Sequence, residues 1–407
     1  MTSAGFVIVG ASLAGAIAAQ TLRAESFTGR ITLIGDEPHR PYERPPLSKG
    51  YLLGNTAREK VFVHPAGWYA EHEVDLRLGT AATRIDRDAR SVTLADKTQL
   101  GYDALLLATG STPRVLRLPG ADLQGVRYLR RLEDSEQIKT AFTQRPKVVI
   151  IGAGWIGLET AAAARAYGLD VTVLEQGEMP LLRVLGREVA QIFADLHRDA
   201  KVDLRCGVQV SRIIGTGGHV AGVELVDGVR LDADLVLVGV GITPNVDLAE
   251  DARLEIDNGI LVDEHLQTSD PAIYAAGDVA NAYHPLLRRR LRVEHWANAR
   301  RQGAIAAKAM LGQDALYDRL PYFFSDQYDF GMEYTGYVEP EEFDQMVFRG
   351  DVPGREFIAF WLSHGRVVAG MNVNIWDVAD PIERLILSRR QFHSGQLADV
   401  DIPLDKL

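Results

Sequence analysis

Short runs of consecutive apolar residues, each closed by glycine or an acidic turn, recur along the chain. Phe6-Val7-Ile8-Val9 leads into GASLAG and an Ala- and Leu-rich stretch from Leu13 to about Ala24; RITLI (30–34) follows and ends at Gly35-Asp36-Glu37. A continuous apolar run, as opposed to an alternating one, marks a strand covered on both faces, as in a parallel sheet. The pattern predicts strand, turn, helix, strand. It recurs when KVVII (147–151) leads into GAGWIGLE, a long Ala-rich helix and DVTVLE (170–175). Two such units predict two parallel-sheet domains. Their starts, Gly10 and Gly152, are a whole domain apart, too far for a solenoid repeat.

Three more apolar strands end in glycine: YDALLLATGSTPR at Gly110, ADLVLVGVGITPN at Gly239 and Gly241, and PAIYAAGDVA at Gly277-Asp278. The first two bracket the second unit. The second domain is therefore expected to be inserted in the first, with the chain leaving one sheet near Gly110 and returning near Gly239. From about Pro321 the texture changes. EFIAFWL and RVVAGMNV, with Gly and Pro turns around them, read as antiparallel strands followed by a helix near Ile382 to Arg390. The expected class is α/β: two dinucleotide-binding domains of the Rossmann type, the second inserted in the first, plus a C-terminal α+β domain. The expected boundaries are 1–113 with 239–320, then 114–238, then 321–407.

GAGWIGLE carries the strongest chemical signal. Gly152 permits the tight strand-to-helix turn, Gly154 lets the backbone approach a pyrophosphate, and Gly157 allows close helix–strand packing. The helix N-terminus then offers unpaired N–H groups to phosphate. An acid is required about 20 residues on, and Glu175 stands there, suited to a free ribose 2′-hydroxyl and repelling a 2′-phosphate. Gln176 follows where an NADP site favours Arg, so NADH is expected over NADPH. GASLAG has the same frame, with Gly10, Ser12, Gly15 and then Asp36. Ser12 stands where glycine gives the closest approach to phosphate. Its side chain is small and its hydroxyl suits a phosphate oxygen.

Bulk composition narrows the class. A chain of 407 residues with 46% hydrophobic and 24% charged residues is ordinary for a soluble globular protein of two or three domains. The net charge of −11 argues against a nucleic-acid backbone binder. No window approaches the 18 or so apolar residues of a membrane span, and no secretory or lipidation signal is read. A cytoplasmic protein is expected, with no metal site. The single cysteine, Cys206, precludes an internal disulfide.

RPYERPPLSKGYL (40–52) places Arg44 and Lys49 on a proline-stiffened loop. With it, the ordered succession GASLAG, DEPHRPYERPPLSK, LLLATGSTPR, YLRRLEDS, GAGWIGLE, GVGITPN, IYAAGDVA, VEHWANARRQG and PYFFSDQYD resembles the bacterial NADH-dependent ferredoxin reductases. These are FAD flavoproteins of the glutathione-reductase fold that serve Rieske dioxygenases and cytochrome monooxygenases. The likeness runs from about residue 5 to at least residue 330, and extends to rubredoxin reductases and apoptosis-inducing factor. It implies that the first unit binds FAD and the inserted one NADH. By matching position, the FAD contacts are Gly10, Ser12, Ala14, Gly15, Asp36, Arg44, Lys49, Ala82, Arg130, Asp278 and Trp296. Those for NADH are Gly152, Gly154, Ile156, Gly157, Glu159, Glu175 and Gly241.

The chemistry then belongs to the cofactors. The protein has to stack nicotinamide on flavin with the reacting atoms about 3–3.5 Å apart. Lys49 and Glu159 are the expected catalytic pair at the flavin N5 edge, Lys49 stabilising the electron-rich reduced ring and Glu159 holding Lys49. The competing reading of Glu159 is an exposed first-turn helix acid; that of Trp296 is a core side chain instead of a wall beside the ring. Disulfide reductases on this fold need a cysteine pair where this chain reads RPPLSK, so electrons must leave the flavin directly. An acidic iron–sulfur ferredoxin, or a rubredoxin, is the expected acceptor. Arg288-Arg289-Arg290, Arg292 and Arg300-Arg301 are the expected steering cluster and Arg389-Arg390 a weaker one. The alternatives are an NADH oxidase or quinone reductase, and an NADH-sensing interaction protein resembling apoptosis-inducing factor. A monomer and a homodimer fit equally.

Overall fold

The computed structural model describes residues 5–407. They form two compact units. The first comprises the chain up to Arg44, Ala57–Thr112 and Ile242–Pro321. It opens with strand β1 (Gly5–Val9), helix α1 (Leu13–Ala24) and strand β2 (Ile31–Ile34). Every residue of both strands is buried, which is why neither alternates. β1 runs parallel to β2 (Val7↔Thr32) and to Gln99–Leu107 (Ile8↔Leu106). Val74–Arg77 adds beyond β2, and Ile273–Ala275 lies parallel to Gln99–Leu107. Ile273–Ala275 comes after the Pro113–Gly241 stretch of the second unit, so the first sheet is completed only once the chain has returned. Ser91–Leu94 and Ala82–Asp86 continue the sheet antiparallel.

The second unit comprises Pro45–Thr56, Pro113–Gly241 and Tyr322–Leu407. Its parallel sheet contains β3 (Val148–Ile151) and β4 (Val171–Glu175), joined by helix α2 (Trp155–Ala166), with helix α3 (Leu182–Asp199) after them. The order is Asp203–Cys206, β4, β3, Leu235–Val238, Val126–Tyr128. The C-terminal part is a five-stranded antiparallel sheet. It begins with β5 (Tyr322–Gln327), neighboured by Phe330–Gly336, and carries the helix Ala379–Ser388.

The inserted parallel sheet and this antiparallel sheet share one apolar core. The Trp155 ring of α2 meets Phe323 of β5 at 5.0 Å, and Phe193 of α3 meets Phe330 at 5.1 Å, both edge to face. Pro45–Thr56 joins the same core through Leu52, which is fully buried. Polar bonds fix the segment: Ser135 donates to the Leu47 carbonyl (2.7 Å), Tyr167 to the Leu52 carbonyl (3.0 Å) and Tyr51 to Glu136 (2.7 Å). Though flanked in sequence by first-unit chain, this loop therefore packs with the second unit.

Candidate active site

The GAGWIGLE turn sits between β3 and α2. Gly152 has φ +102°, a backbone setting that disfavours side chains, and a Cβ there would lie 2.4 Å from the Gly239 carbonyl oxygen. A Cβ on Gly157 would meet the Gly152 carbonyl oxygen at 2.0 Å. Gly154 differs. Its φ is −80° and a Cβ would have nothing within 4 Å. Neither strain nor packing calls for glycine there; the space it leaves open lies over the N-terminus of α2, where phosphate belongs. Beside it, Glu175 accepts the Ala153 N–H on one oxygen and the Gly177 N–H on the other, both at 2.7 Å. Ile156 is 42% exposed in the first turn of α2, an apolar side chain open to solvent. Gly241 has φ +97° and accepts the Arg114 N–H (2.9 Å). The residues present fit a dinucleotide.

Glu159 lies one turn further along α2 and is only 5% exposed, so it is not a surface helix acid. One carboxylate oxygen pairs with Lys49 Nζ at 2.7 Å and accepts the Ser48 hydroxyl at 2.5 Å; the other accepts the Ser325 hydroxyl at 2.7 Å. Lys49 also lies 5.8 Å from the centroid of the Phe324 ring. Burial pushes the Asp326 carboxyl up; Lys49 opposes this, while Glu159 and Glu333 add to it. A buried, hydrogen-bonded ion pair is costly to assemble and costly to break. Such a pair at the mouth of a nucleotide turn is a candidate for chemistry.

In the first unit, GASLAG repeats the turn. Gly10 has φ +123° and Ser12 caps α1 in an extended conformation without a side-chain capping bond. A Cβ on Gly15 would meet the Gly10 carbonyl oxygen at 2.1 Å, the same close packing as in the twin. Asp36 stands exposed just after β2. Arg44 bonds Glu37 (3.2 Å), which also accepts the Tyr42 hydroxyl (2.5 Å). Burial works against the Arg44 charge, but Tyr42, Glu37 and Asp278 around it hold it above its ordinary range. Asp278 accepts the Ser111 hydroxyl at 2.7 Å. Arg44 and Asp278 are thus brought together. Trp296 opens the helix Trp296–Met310, with the Arg300 guanidinium 4.9 Å from its ring centroid.

Ala14 is buried in α1, its carbonyl 2.3 Å from where a Gly303 Cβ would sit. Ala82 begins the strand Ala82–Asp86. Lys49 and Arg130 belong to the second unit, the Arg130 N–H donating to Asp134 at 2.9 Å. The expected arginine cluster is largely engaged internally. Arg290 donates to the Val262 and Asn281 carbonyls, Arg292 pairs with Glu294 (2.6 Å), and Arg301 donates to the Leu320 carbonyl (2.6 Å). Cys206 sits on the strand beside β4, opposite Glu175. Burial and then that carboxylate push its thiol up, which suits an inert side chain.

Sequence reasoning missed Ser48 and Ser325 on Glu159, and Glu37 and Tyr42 on Arg44. The signal for Ser325 was available. FFSDQ places Ser325 and Gln327 at alternating inward positions of β5 where apolar side chains belong.

Residues 5–303 match the model of the pyridine nucleotide-disulphide oxidoreductase family, and residues 322–407 match that of the reductase C-terminal segment. The chain belongs to this oxidoreductase family. It is similar to rhodocoxin reductase of Rhodococcus erythropolis, 39% identical over 98% of this chain and 93% of that one. It is similar at 38%, over 99% of each chain, to the ferredoxin–NAD(+) reductase component of the anthranilate 1,2-dioxygenase system of Burkholderia cepacia. Among solved structures it superposes on putidaredoxin reductase in covalent complex with putidaredoxin, with a TM-score of 0.95, 38% identity, and coverage of 100% of this chain and 98% of that one. No helix among the described residues is long and apolar enough to cross a membrane.

Proposed function

We propose that this chain is an FAD-dependent oxidoreductase that takes hydride from NADH and passes single electrons to an iron–sulfur ferredoxin of an oxygenase system. FAD is assigned to 1–113 with 239–320 and NADH to 114–238, while 321–407 supplies Ser325 to the pair that serves the transfer. The carrying observation is the open space at Gly154, flanked by a Glu175 carboxylate that backbone N–H groups hold in place. An acid fixed there accepts a ribose hydroxyl and opposes a 2′-phosphate, which supports NADH over NADPH. Bound flavin supplies the conversion of an electron pair into single electrons. The chain's own part is to orient the nicotinamide against Ile156, to exclude water, and to hold a cation, Lys49, in place through Glu159. Arg44 and Asp278 are assigned to the FAD phosphate and ribityl groups. A lone, burial-suppressed Cys206 supports direct exit of electrons over thiol chemistry. The ferredoxin reductase and redoxin-complex relatives support a redoxin as acceptor.

The test is a visible spectrum of the purified protein followed by anaerobic titration. Flavin absorbance bleached by NADH at concentrations well below those needed of NADPH is the expected result. Turnover that requires a ferredoxin completes it. A colourless protein that cannot be reconstituted with FAD, or NADH oxidation equally fast without an iron–sulfur acceptor, would overturn the reading.

A further inference from the structure

Beyond Ser325 the polar contacts do not stop. Gln327 Nε2 donates to Ser325 Oγ (3.1 Å), His197 Nε2 lies 2.8 Å from Gln327 Oε1, and the Tyr328 hydroxyl lies 3.1 Å from His197 Nδ1. Ser325, Gln327 and His197 are each no more than 1% exposed, whereas Tyr328 is 39% exposed. Three polar side chains thus fill a position where two elements of the shared core meet, β5 and α3. Polar groups in such a place are retained only when fully bonded.

The bonds fix one another's direction. Burial pushes His197 down to about 4, so its ring is neutral at ordinary pH. Gln327 Oε1 can only accept, so the single ring proton is on Nε2. Nδ1 is then bare and accepts the hydroxyl proton of Tyr328. Ser325 Oγ already accepts from Gln327, so its proton goes to Glu159 Oε1. Tyr328, His197, Gln327 and Ser325 all donate toward one carboxylate. Tyr328 is held with φ +57°, a setting that bulky residues rarely adopt, at the turn after β5.

We infer that Ser325, Gln327, His197 and Tyr328 are positioning residues that form a one-way donor chain onto Glu159, fixing that carboxylate and, through it, Lys49 for hydride transfer. The inference rests on the role proposed above for the Lys49–Glu159 pair. None of the four need touch a cofactor. Aligned donors polarise one another, so a break anywhere weakens the last bond to Glu159. The reductase C-terminal segment, on this view, acts on the nucleotide turn of the inserted domain by a polar route as well as by packing.

Two measurements test it. Stopped-flow reduction of the flavin by NADH is compared for the parent, Ser325→Ala, Gln327→Leu and Glu159→Gln. About a tenfold fall in limiting rate for the first two variants is expected, with the NADH concentration dependence within about twofold of the parent and recovery in Ser325→Thr (about 1.4 kcal/mol in barrier per tenfold). If Glu159→Gln itself reduces at the parental rate, the role of the pair fails and the inference with it. If Glu159→Gln is slow while Ser325→Ala and Gln327→Leu are not, the chain alone is overturned. The second readout needs no turnover. In oxidised holoprotein with ¹⁵N-labelled histidine, His197 should show the neutral Nε2–H form, and Glu159→Gln, which keeps the shape of the side chain, should displace its ring signals. Signals that stay in place would reduce the four residues to core packing.

Discussion

Ser12 illustrates how far one side chain can be judged from its twin. At Gly154 the turn leaves room for a Cβ, with nothing of the protein within 4 Å. Ser12 occupies the equivalent position and makes no capping bond through its hydroxyl. The serine therefore costs the fold little, and any crowding falls on the ligand. Ser12→Gly is expected to leave stability within a few tenths of a kcal/mol and to tighten FAD binding by up to about tenfold, or about 1.4 kcal/mol. Equilibrium release of FAD, followed by fluorescence, checks this. A weaker complex in the glycine variant would mean that the hydroxyl holds phosphate directly.

At the scale of elements, what the sequence made legible was what repeats or alternates. β1, α1, β2 and β3, α2, β4 could be read because buried parallel strands are continuous apolar runs, and because glycine at Gly10 and Gly152 is demanded by a positive φ. The run Ile273–Ala275, far along the chain, was readable as a strand for the same reason, while its place beside Gln99–Leu107 in the first sheet emerges only from the pairing. Of the partners of Glu159, Lys49 was named through the family resemblance, whereas Ser48 and Ser325 were not. They come from two segments separated from α2 by most of a domain, and no local pattern encodes that meeting. Nor did arginine counting reveal that Arg290, Arg292 and Arg301 are engaged by carbonyls and Glu294. The turn before α2 makes its own prediction. A Cβ added at Gly154 meets no protein atom within 4 Å, so Gly154→Val is expected to cost the fold no more than about 1 kcal/mol at the cap. The branched side chain fills the space assigned to pyrophosphate. The KM for NADH should rise at least about a hundredfold with FAD content unchanged, measured by steady-state kinetics and the flavin spectrum. A variant that loses FAD instead would reverse the assignment of the two turns.

For the whole molecule, buried histidines set the response to acid. His197 and His284 are fully buried and burial lowers both, His197 to about 4. The unfolded chain, with histidine near 6.5, binds protons that the folded one refuses between those limits. Stability is therefore intact above about pH 6.5 and falls as pH drops toward 4. For His197 alone the loss at pH 5 is about 2 kcal/mol. Thermal unfolding of holoprotein at pH 5 and 7.5 should show a lower Tm at pH 5, with the difference reduced in His197→Gln. An equal difference in both proteins would place the acid response elsewhere.

The loop Pro45–Thr56 has a practical consequence. Its backbone is bracketed by chain of the first unit, yet its leucines complete the core of the second. The polypeptide therefore changes unit at 44/45, 56/57, 112/113, 241/242 and 321/322. Anyone transplanting the coenzyme preference of this reductase into another by exchanging only the inserted stretch would carry away a body missing Leu52, Leu53 and the lysine that faces Glu159. A graft that keeps its stability has to take the dozen-residue loop along with the tail.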